Sequence, residues 1–229
     1  MIILAFDSTA KAASVAVTDD EKLLALYNID NGLTQSELLL PMAESLMRSL
    51  KLSFSDVDLY ATSVGPGSFT GVRIGAALVK GLAFGREKPC VGVSTIEALY
   101  ENLADCEGIV CPIMNARRGQ VYTGAFLNGE RIIDDTCMML DDLIPMLEEK
   151  GQPIRFNGDG YDLVLDKNIA NFRHTPELLK YQNAYSVGKV AYKRIINSEF
   201  TSDEALRVEY LRKAQAERER EERLGREKQ

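Results

Sequence analysis

The hydrophobic and polar positions in the first half of the chain predict three strands, a helix, a strand and a second helix. Apolar runs separated by turn residues are typical of strands, whereas apolar residues recurring every three or four positions indicate amphipathic helices. The predicted elements are strands at residues 2–6, 14–17, 22–28 and 57–63 and helices at residues 35–50 and 70–85. A glycine-rich turn at residues 65–71 joins the fourth strand to the second helix. A short strand at residues 91–93 and a helix at residues 94–103 follow.

The second half of the chain repeats this order of elements. Its predicted strands lie at residues 109–114, 120–127, 131–136 and 154–157, and its helices at residues 140–149 and 184–196. When IILAFDSTAKAASVAV is laid over IVCPIMNARRGQVYTGAF, Asp7 and Asn115 fall at the ends of equivalent first strands. Because self-similarity over a long period indicates a duplicated unit, we predict an α/β fold of two lobes, each built from a βββαβα unit.

The repeat divides the 229 residues into two lobes and a tail. Residues 1–104 form the predicted N-terminal lobe with the partner-docking helices, and residues 105–206 form the predicted C-terminal lobe, each of a size typical of a small domain. Residues 207–229 hold 8 Lys or Arg and 6 Glu, so this tail has a net charge of +2 and the remainder −9. Such charge density predicts a solvated helix or a frayed tail, with a partner-binding arm as the alternative.

Composition and charge narrow the classes of function. Hydrophobic residues make up 45% and charged residues 27%, which is ordinary for a globular protein. The net charge of −7 argues against independent binding of nucleic acid, because neutralising phosphates requires a basic surface. No apolar run reaches spanning length, and the N-terminus lacks the features of a signal peptide. The four cysteines show no paired spacing, so we expect reduced thiols and a cytoplasmic protein.

Two motifs at predicted strand ends are candidates for a remnant nucleotide or phosphate site. Ligands of open α/β sheets bind beyond the carboxyl ends of the strands, and helix N-termini attract anions. The candidate residues are Asp7, Ser8, Thr9, Gly65, Gly67, Ser68 and Asp159. Asp7 and Asp159 would face one cleft, where their carboxylates suit Mg²⁺. The alternative is structural: the first motif closes a strand, and the second is a sharp turn that lacks the Lys-Ser or Lys-Thr of a Walker A loop.

Metal-dependent or nucleophilic catalysis has little support in the sequence. His174 is the single histidine of the chain and precedes Thr175-Pro176 in a predicted loop. One histidine cannot supply a zinc pair, and no visible spacing pairs it with a serine or cysteine. We therefore predict no catalytic residue and no metal ligand in this chain.

Two helices of the first half carry more apolar surface than one core requires. Apolar residues between positions 38 and 50 cover roughly 200° of the helix surface, about twice the arc that faces one core. Small residues of the next helix form two rows with four-residue spacing, Gly71 with Gly75 and Ala77 with Gly81 and Gly85. The predicted partner interface comprises Leu38, Leu39, Met42, Leu46, Gly71, Arg73, Gly75, Leu78 and Leu82. The alternative is that both helices are buried in a sheet covered on both faces.

Several segments resemble, in order and spacing, the TsaB (YeaZ) family. They are ILAFDSTAKAASVAV, TQSELLLP, SVGPGSFTGVRIGAALVKGLAFG, VGVSTIEAL, ARRGQVYTG and EYLRKAQAE. The resemblance covers about residues 2–217, and the glycine-rich segment is its most specific part. This chain has Gln35 where the family often has His and Asn115 where it often has Asp, and both departures weaken a metal or phosphotransfer role.

The resemblance implies an actin/Hsp70/sugar-kinase-like fold, which is ribonuclease H-like, in agreement with the duplicated pattern. It also implies a non-catalytic scaffold for a paralogous, TsaD-like threonylcarbamoyltransferase, which docks on the two helices of the first lobe. The product would be N6-threonylcarbamoyladenosine beside the anticodon of tRNAs that read codons starting with A. A TsaE-like ATPase would join the complex, the chain alone would form a homodimer, and tRNA would be bound only through the complex. No cofactor is expected for this chain, with ATP and Mg²⁺ acting at the level of the complex.

Two other functions stay open from the residues. An independent kinase or ATPase of the same fold would use Asp7, the turn at residues 65–71 and Asp159 to bind magnesium nucleotide. A glycoprotease-like metallohydrolase would need metal ligands that a chain with one histidine supplies poorly.

Overall fold

A computed structural model describes residues 1–211 of the chain. Its strands are β1 (Ile2–Asp7), β2 (Ala13–Asp19), β3 (Lys22–Ile29), β4 (Leu59–Gly65), β5 (Cys90–Ser94), β6 (Ile109–Arg117), β7 (Gln120–Leu127), β8 (Glu130–Met139) and β9 (Ile154–Asn157). Its helices are α1 (Gln35–Ser49), α2 (Phe69–Ala83), α3 (Thr95–Glu101), α4 (Leu140–Glu148), α5 (Asp162–Leu165), α6 (Glu177–Lys180) and α7 (Ala184–Ile196). The sequence predicts all of these elements except the short helices α5 and α6. None of the helices within residues 1–211 has the length and apolar character needed to span a membrane.

The strands form two sheets that repeat one arrangement. The first has the order β3-β2-β1-β4-β5 and the second the order β8-β7-β6-β9. In each sheet the first strand of the unit pairs antiparallel with the second strand and parallel with the fourth. The duplicated strand pattern predicted from the sequence is therefore present, with Asp7 and Asn115 near the ends of the equivalent strands β1 and β6.

Helix α7 packs on the first sheet, although it falls within residues 105–206, the predicted C-terminal lobe. Val187 and Val190 belong to the apolar cluster that contains Ile3 and Ala5 of β1. The amide of Ala184 also donates a hydrogen bond to the Ser14 hydroxyl at 2.9 Å. The apolar face of a helix shows that it is buried but not which sheet it covers, so the chain returns to the first lobe before residue 206.

The first sheet is covered by helices on both faces. Residues of β1 alternate between two clusters, with Leu4 and Phe6 facing α1 and α2 and with Ile3 and Ala5 facing α3 and α7. The second lobe has its own core between its sheet, α4 and α5. The lobes meet where the rings of Tyr100 and Phe126 stack with centroids 3.9 Å apart. This contact joins the two cores. Beside it, the two lobes are separated by a cleft at the carboxyl ends of the parallel strands.

Residues 201–211 form a strap that runs back across the first lobe. Thr201 pairs with Cys90 of β5, and Leu206 is buried in the core beneath α2. The amide of Glu209 donates to the Val64 carbonyl at 2.8 Å. The predicted tail at residues 207–229 therefore begins within this strap, and the rest of the expected solvated helix or partner-binding arm, residues 212–229, lies outside the described residues.

Candidate functional site

A cleft with a volume of about 1000 Å³ lies between the two lobes. Its lining includes residues 9–12 and 67–69 of the first lobe, residues 114–117 and Asp159 of the second lobe, and residues 181–182 of the crossover between them. The carboxyl ends of β1, β4, β6 and β9 all point to this cleft, where an open α/β sheet usually binds its ligand.

Asp7 lies beneath the cleft, where its carboxylate is hydrogen-bonded within the chain. Asp7 and Ser8 are 1% and 0% exposed. The carboxylate accepts hydrogen bonds from the Ser63 hydroxyl and from the amide and hydroxyl of Thr9, the last two at 3.0 and 2.8 Å. Burial raises the pKa of Asp7, although these hydrogen bonds oppose the rise. Because the Ser8 hydroxyl donates to the Gly71 carbonyl at 2.8 Å, this group of residues ties β1 to β4 and to α2.

The glycines between β4 and α2 allow close crossings of the backbone. Gly65 has a φ of +121°, and a Cβ there would lie 2.3 Å from the Glu209 carbonyl oxygen. Gly67 has a φ of +157°, and its Cβ would lie 2.6 Å from the Thr9 carbonyl oxygen. The Ser68 hydroxyl accepts from an amide of the first helical turn at 3.2 Å, and the Ser68 amide donates to Thr9 at 2.8 Å. Two amides that could bind a phosphate are thus used within the chain, which favours the structural alternative.

Asp159 lines the cleft from the second lobe, whereas Asp7 lies below the cleft surface. The Asp159 carboxylate accepts a hydrogen bond from the Asn115 amide at 3.0 Å. Desolvation by the surrounding cleft raises the pKa of Asp159; the Asn115 amide lowers it, and the negative charge of Asp7 raises it. Asp7 and Asp159 therefore approach the cleft from opposite lobes. Their use in binding nucleotide or Mg²⁺ stays a prediction.

His174 lies on the second lobe, away from the cleft lining. Its Nδ1 is 3.2 Å from the Tyr161 hydroxyl, and its ring contacts the edge of Phe172 at a centroid distance of 4.9 Å. Within residues 1–211, no three or more His, Cys, Asp or Glu side chains are grouped so that they could hold a metal ion. The contacts of His174 are those of a packed surface histidine.

Five of the nine predicted interface residues face the core of the chain itself. They are Leu39, Met42, Leu46, Gly71 and Gly75. The three large side chains belong to the core between the first sheet and its helices. A Cβ on Gly75 would lie 2.7 Å from both the Ser8 Oγ and the Thr62 Oγ1. The interface prediction is wrong for these five residues, because the Gly71/Gly75 row packs α2 against β1 and β4.

The outer face of α2, together with Leu38 and Leu40 of α1, is accessible and carries several apolar residues. Its exposed or half-buried residues include Leu38, Leu40, Arg73, Ala77, Leu78, Gly81, Leu82 and Phe84. A Cβ built on Gly81 would have no atom within 4 Å. Gly81 follows Gly75 by six residues, or about 600° of rotation, so the two glycines point in different directions. The second small-residue row is therefore open to solvent, among leucine and phenylalanine side chains. We call this surface the docking face.

Part of the cleft lining was not among the residues predicted from the sequence. Gln182 precedes α7 and is 4% exposed, and neither polar atom of its side chain has a hydrogen-bond partner among residues 1–211. Tyr181 and Tyr210 also line the cleft. No periodic pattern indicates that a glutamine in a polar loop will be buried between two lobes, so the sequence carries no signal for this residue.

The sequence of the chain is similar to those of proteins that take part in threonylcarbamoyladenosine biosynthesis in tRNA. The family model described as TsaD, tRNA N6-adenosine threonylcarbamoyltransferase, matches residues 34–219 of the chain. The tRNA threonylcarbamoyladenosine biosynthesis protein TsaB of Bacillus subtilis is 36% identical over 173 residues, which cover 74% of this chain and 75% of that protein. The protein of the same name from Buchnera aphidicola subsp. Schizaphis graminum is 28% identical over 196 residues, covering 81% of this chain and 90% of that protein.

Solved structures show the same architecture. A Pseudomonas aeruginosa protein described as similar to the peptidase YeaZ superposes with a TM-score of 0.79 and 25% identity over 92% of this chain and 99% of that chain. The activator of 2-hydroxyisocaproyl-CoA dehydratase from Clostridium difficile has a TM-score of 0.52 and 10% identity over 92% of this chain and 100% of that chain, a likeness of fold alone. These neighbours confirm the predicted actin/Hsp70/sugar-kinase-like fold. The Bacillus subtilis relative shows that the chain belongs to the TsaB (YeaZ) family.

Proposed function

We propose that this chain is a non-catalytic scaffold in the biosynthesis of threonylcarbamoyladenosine in tRNA. Its partner is a TsaD-like paralogue that transfers the threonylcarbamoyl group to the adenosine beside the anticodon, in tRNAs that read codons starting with A. Membership of the TsaB family and the match to the TsaD model support this role. The observation that carries the scaffold assignment is the docking face, an apolar surface with an open row of small residues.

The docking face has the properties of a helix-packing surface. Ala77 and Gly81 are exposed on α2, and the absence of side-chain bulk at Gly81 lets a second helix approach closely. The exposed fractions of Leu40 and Phe84 are 38% and 74%, so they offer apolar area around this row. Arg73 stacks over the ring of Phe69 at 3.7 Å, which extends the surface toward the cleft. Exposed apolar surface of this kind is typical of protein interaction sites.

The remaining partners are proposed from the family resemblance together with the docking face and the charge of the chain. In isolation, the docking face of one copy pairs with that of a second copy, and the TsaD-like paralogue replaces this homodimer with a heterodimer. A TsaE-like ATPase joins the complex in the cytoplasm. With a net charge of −7, the chain meets tRNA through the complex and not directly. The chain itself requires no cofactor, and ATP with Mg²⁺ acts at the level of the complex.

A leucine at position 81 tests the docking face without disturbing the core. Overpacking a tight contact costs about 1–3 kcal/mol, which corresponds to roughly five- to 150-fold weaker association. Gly81→Leu is therefore expected to weaken the heterodimer by this factor, as measured by size exclusion with light scattering and by titration. Its unfolding temperature should remain close to that of the original chain, because the space around Gly81 is open.

The matched control is Glu149→Leu, which adds an exposed leucine at the end of α4 on the second lobe. This variant should bind the paralogue like the original chain. If the Gly81→Leu variant bound the paralogue as tightly as the original chain does, the docking face would not be the interface. A defect shared by both leucine variants would point to general aggregation instead of loss of a specific contact.

A further inference from the structure

Arg73 is held in a fixed position at the N-terminal end of the docking face. Its guanidinium carbon lies over the ring of Phe69, 3.7 Å from the centroid, and 5.7 Å from the ring centroid of Tyr210. Its Nε donates a hydrogen bond to the Tyr210 hydroxyl at 2.7 Å. Contact with two aromatic rings and one hydrogen bond restricts the rotamers of a long side chain, so the orientation of the guanidinium is set before any partner arrives.

Tyr210 is itself anchored, because it belongs to the strap of residues 201–211. Leu206 of the strap is 3% exposed in the core beneath α2, and the Glu209 amide donates to the Val64 carbonyl at 2.8 Å. These contacts fix the backbone that carries the Tyr210 ring. The strap therefore holds Arg73 in place through Tyr210.

The guanidinium of Arg73 has donors that residues 1–211 leave unused. A guanidinium carries N–H groups on Nε, Nη1 and Nη2, and the hydrogen bond of Arg73 within these residues uses Nε. The residue is exposed and has no ion pair within the same part of the chain. Its Nη1 and Nη2 groups form a planar fork that matches two oxygens of a carboxylate or a phosphate. Because a fixed fork loses little conformational entropy on binding, it points to an anionic group outside this part of the chain.

Arg73 lies in line with the open row of small residues on α2. Ala77 and Gly81 follow it at four-residue intervals, so all three residues lie on one side of the helix, and all three are exposed. A helix that packed on Ala77 and Gly81 would therefore pass beside the fork. Arginine is one of the residues that most often dominate the affinity of a protein interface.

The surroundings of Arg73 favour a carboxylate over a phosphate. Recognition of a nucleic-acid backbone requires clustered cations, whereas Lys80 is the only other charged residue of α2. The net charge of −7 also opposes the approach of phosphates. The exposed neighbour Phe69 is apolar. A single oriented arginine in an apolar surface is typical of a protein interface.

We propose that Arg73 pairs with a carboxylate of the TsaD-like paralogue, and that Tyr210 is the positioning residue for this contact. The inference rests on the proposed function and adds the chemistry of the partner, an Asp or Glu side chain beside the helix that covers Ala77 and Gly81. It also gives the strap a role in the affinity for the partner, in addition to its packing on the first lobe.

Titration of the paralogue with the full chain and its variants, at low and at high salt, tests the pairing. Arg73→Met keeps the length of the side chain and should weaken the heterodimer at least about tenfold, with a smaller salt dependence than the original chain shows. Tyr210→Phe should weaken it roughly two- to tenfold through loss of one hydrogen bond. This second effect should disappear in the Arg73→Met background, because Tyr210 acts through Arg73.

Two matched controls lie away from the docking face. Arg173→Met removes an exposed arginine of the second lobe. Tyr185→Phe removes a hydroxyl on α7 that donates to the Glu21 carbonyl at 3.2 Å. Both controls should bind the paralogue like the original chain.

Cross-linking with a carbodiimide, which joins an amine to a carboxylate in direct contact, identifies the partner group. In the heterodimer, the Arg73→Lys variant should be linked through position 73 to an Asp or Glu of the paralogue, as mass spectrometry of the joined peptides would show. A link from position 73 to a glutamate of the same chain, in place of one to the paralogue, would overturn the inference.

The binding data separate failure of this inference from failure of the docking face. Unchanged affinity of Arg73→Met, alongside weaker binding of Gly81→Leu, would overturn the pairing and leave the docking face as the interface. Unchanged affinity of both variants would refute the docking face and the pairing together. A loss of affinity in Arg73→Met that occurs only when tRNA is present would assign the arginine to a phosphate, which would also overturn the pairing.

Discussion

Two alanine substitutions in α2 separate its inner from its outer face. A Cβ on Gly71 would lie 1.9 Å from the backbone carbonyl oxygen of Ser8, so the helix would have to move away from β1. The Ser8 carbonyl belongs to the backbone and cannot move aside as the end of a flexible side chain can. The hydrogen bond from the Ser8 hydroxyl to the Gly71 carbonyl would also be strained. A Cβ on Gly81 meets nothing within 4 Å. The same change therefore has opposite effects at two positions of one helix.

The magnitudes follow from this geometry. Overpacking at Gly71 lowers the free energy of unfolding by about 1–3 kcal/mol. For a chain of this size, each kcal/mol shifts the melting temperature by about 2–4 °C, so Gly71→Ala should melt roughly 2–12 °C lower. Replacing an exposed helical glycine by alanine stabilises by about 0.5–1 kcal/mol, so Gly81→Ala should melt up to about 4 °C higher.

Thermal unfolding of the isolated variants, followed by circular dichroism, measures both shifts. The comparison is internally controlled, because the two variants share the helix and the substitution. A melting temperature of Gly71→Ala equal to or above that of the original chain would refute the inward orientation of this row. A large loss of stability in Gly81→Ala would refute the open outer face.

Two further changes test buried charges. Burial raises the pKa of Asp7 above its ordinary value of 3.8, so the folded chain holds the carboxyl proton at pH values where the unfolded chain has lost it. The contribution of Asp7 to the free energy of unfolding therefore falls as the pH rises from about 4 through the raised pKa. The melting temperature of Asp7→Asn relative to the original chain should therefore increase between pH 4 and pH 7, and a constant difference would contradict this. Glu101 is nearly buried and contacts the ammonium groups of Lys189 and Lys193 at 2.6 and 2.8 Å, which links α3 to α7. Both lysines are partly solvated, so Glu101→Gln should lower the free energy of unfolding in urea by about 1–2 kcal/mol, whereas Glu107→Gln at an exposed site should leave it unchanged.

The hydrophobic pattern was sufficient to predict the strands and the longer helices, because each has an apolar period of its own. It could not predict the sheet on which α7 packs, since the apolar face of that helix is compatible with either lobe. The same limit applies to α2, where two rows of small residues are visible in the sequence but Gly71 and Gly81 look alike. Only the crossing of Ser8 over Gly71 shows which row faces inward.

In the candidate site, too, the sequence predicts some features and not others. The structure places Asp159 at the cleft, as predicted, whereas Asp7 is buried and accepts a hydrogen bond from Ser63 of β4, which reaches it only in the folded chain. Gln182 carries no signal in the sequence, because its burial results from the meeting of two lobes. Short-range patterns therefore predict the elements, whereas the orientation of individual side chains depends on long-range packing.

Reconstituted threonylcarbamoylation of tRNA, with the TsaD-like paralogue and a TsaE-like ATPase, tests the central claim most directly. The scaffold account predicts that the chain is required and that Asp7→Asn supports modification as well as the original sequence does. It also predicts that Gly81→Leu, although folded, supports little modification at protein concentrations where the original heterodimer forms. The opposite pattern, with full activity in Gly81→Leu and none in a folded Asp7→Asn that still binds the paralogue, would contradict a non-catalytic scaffold.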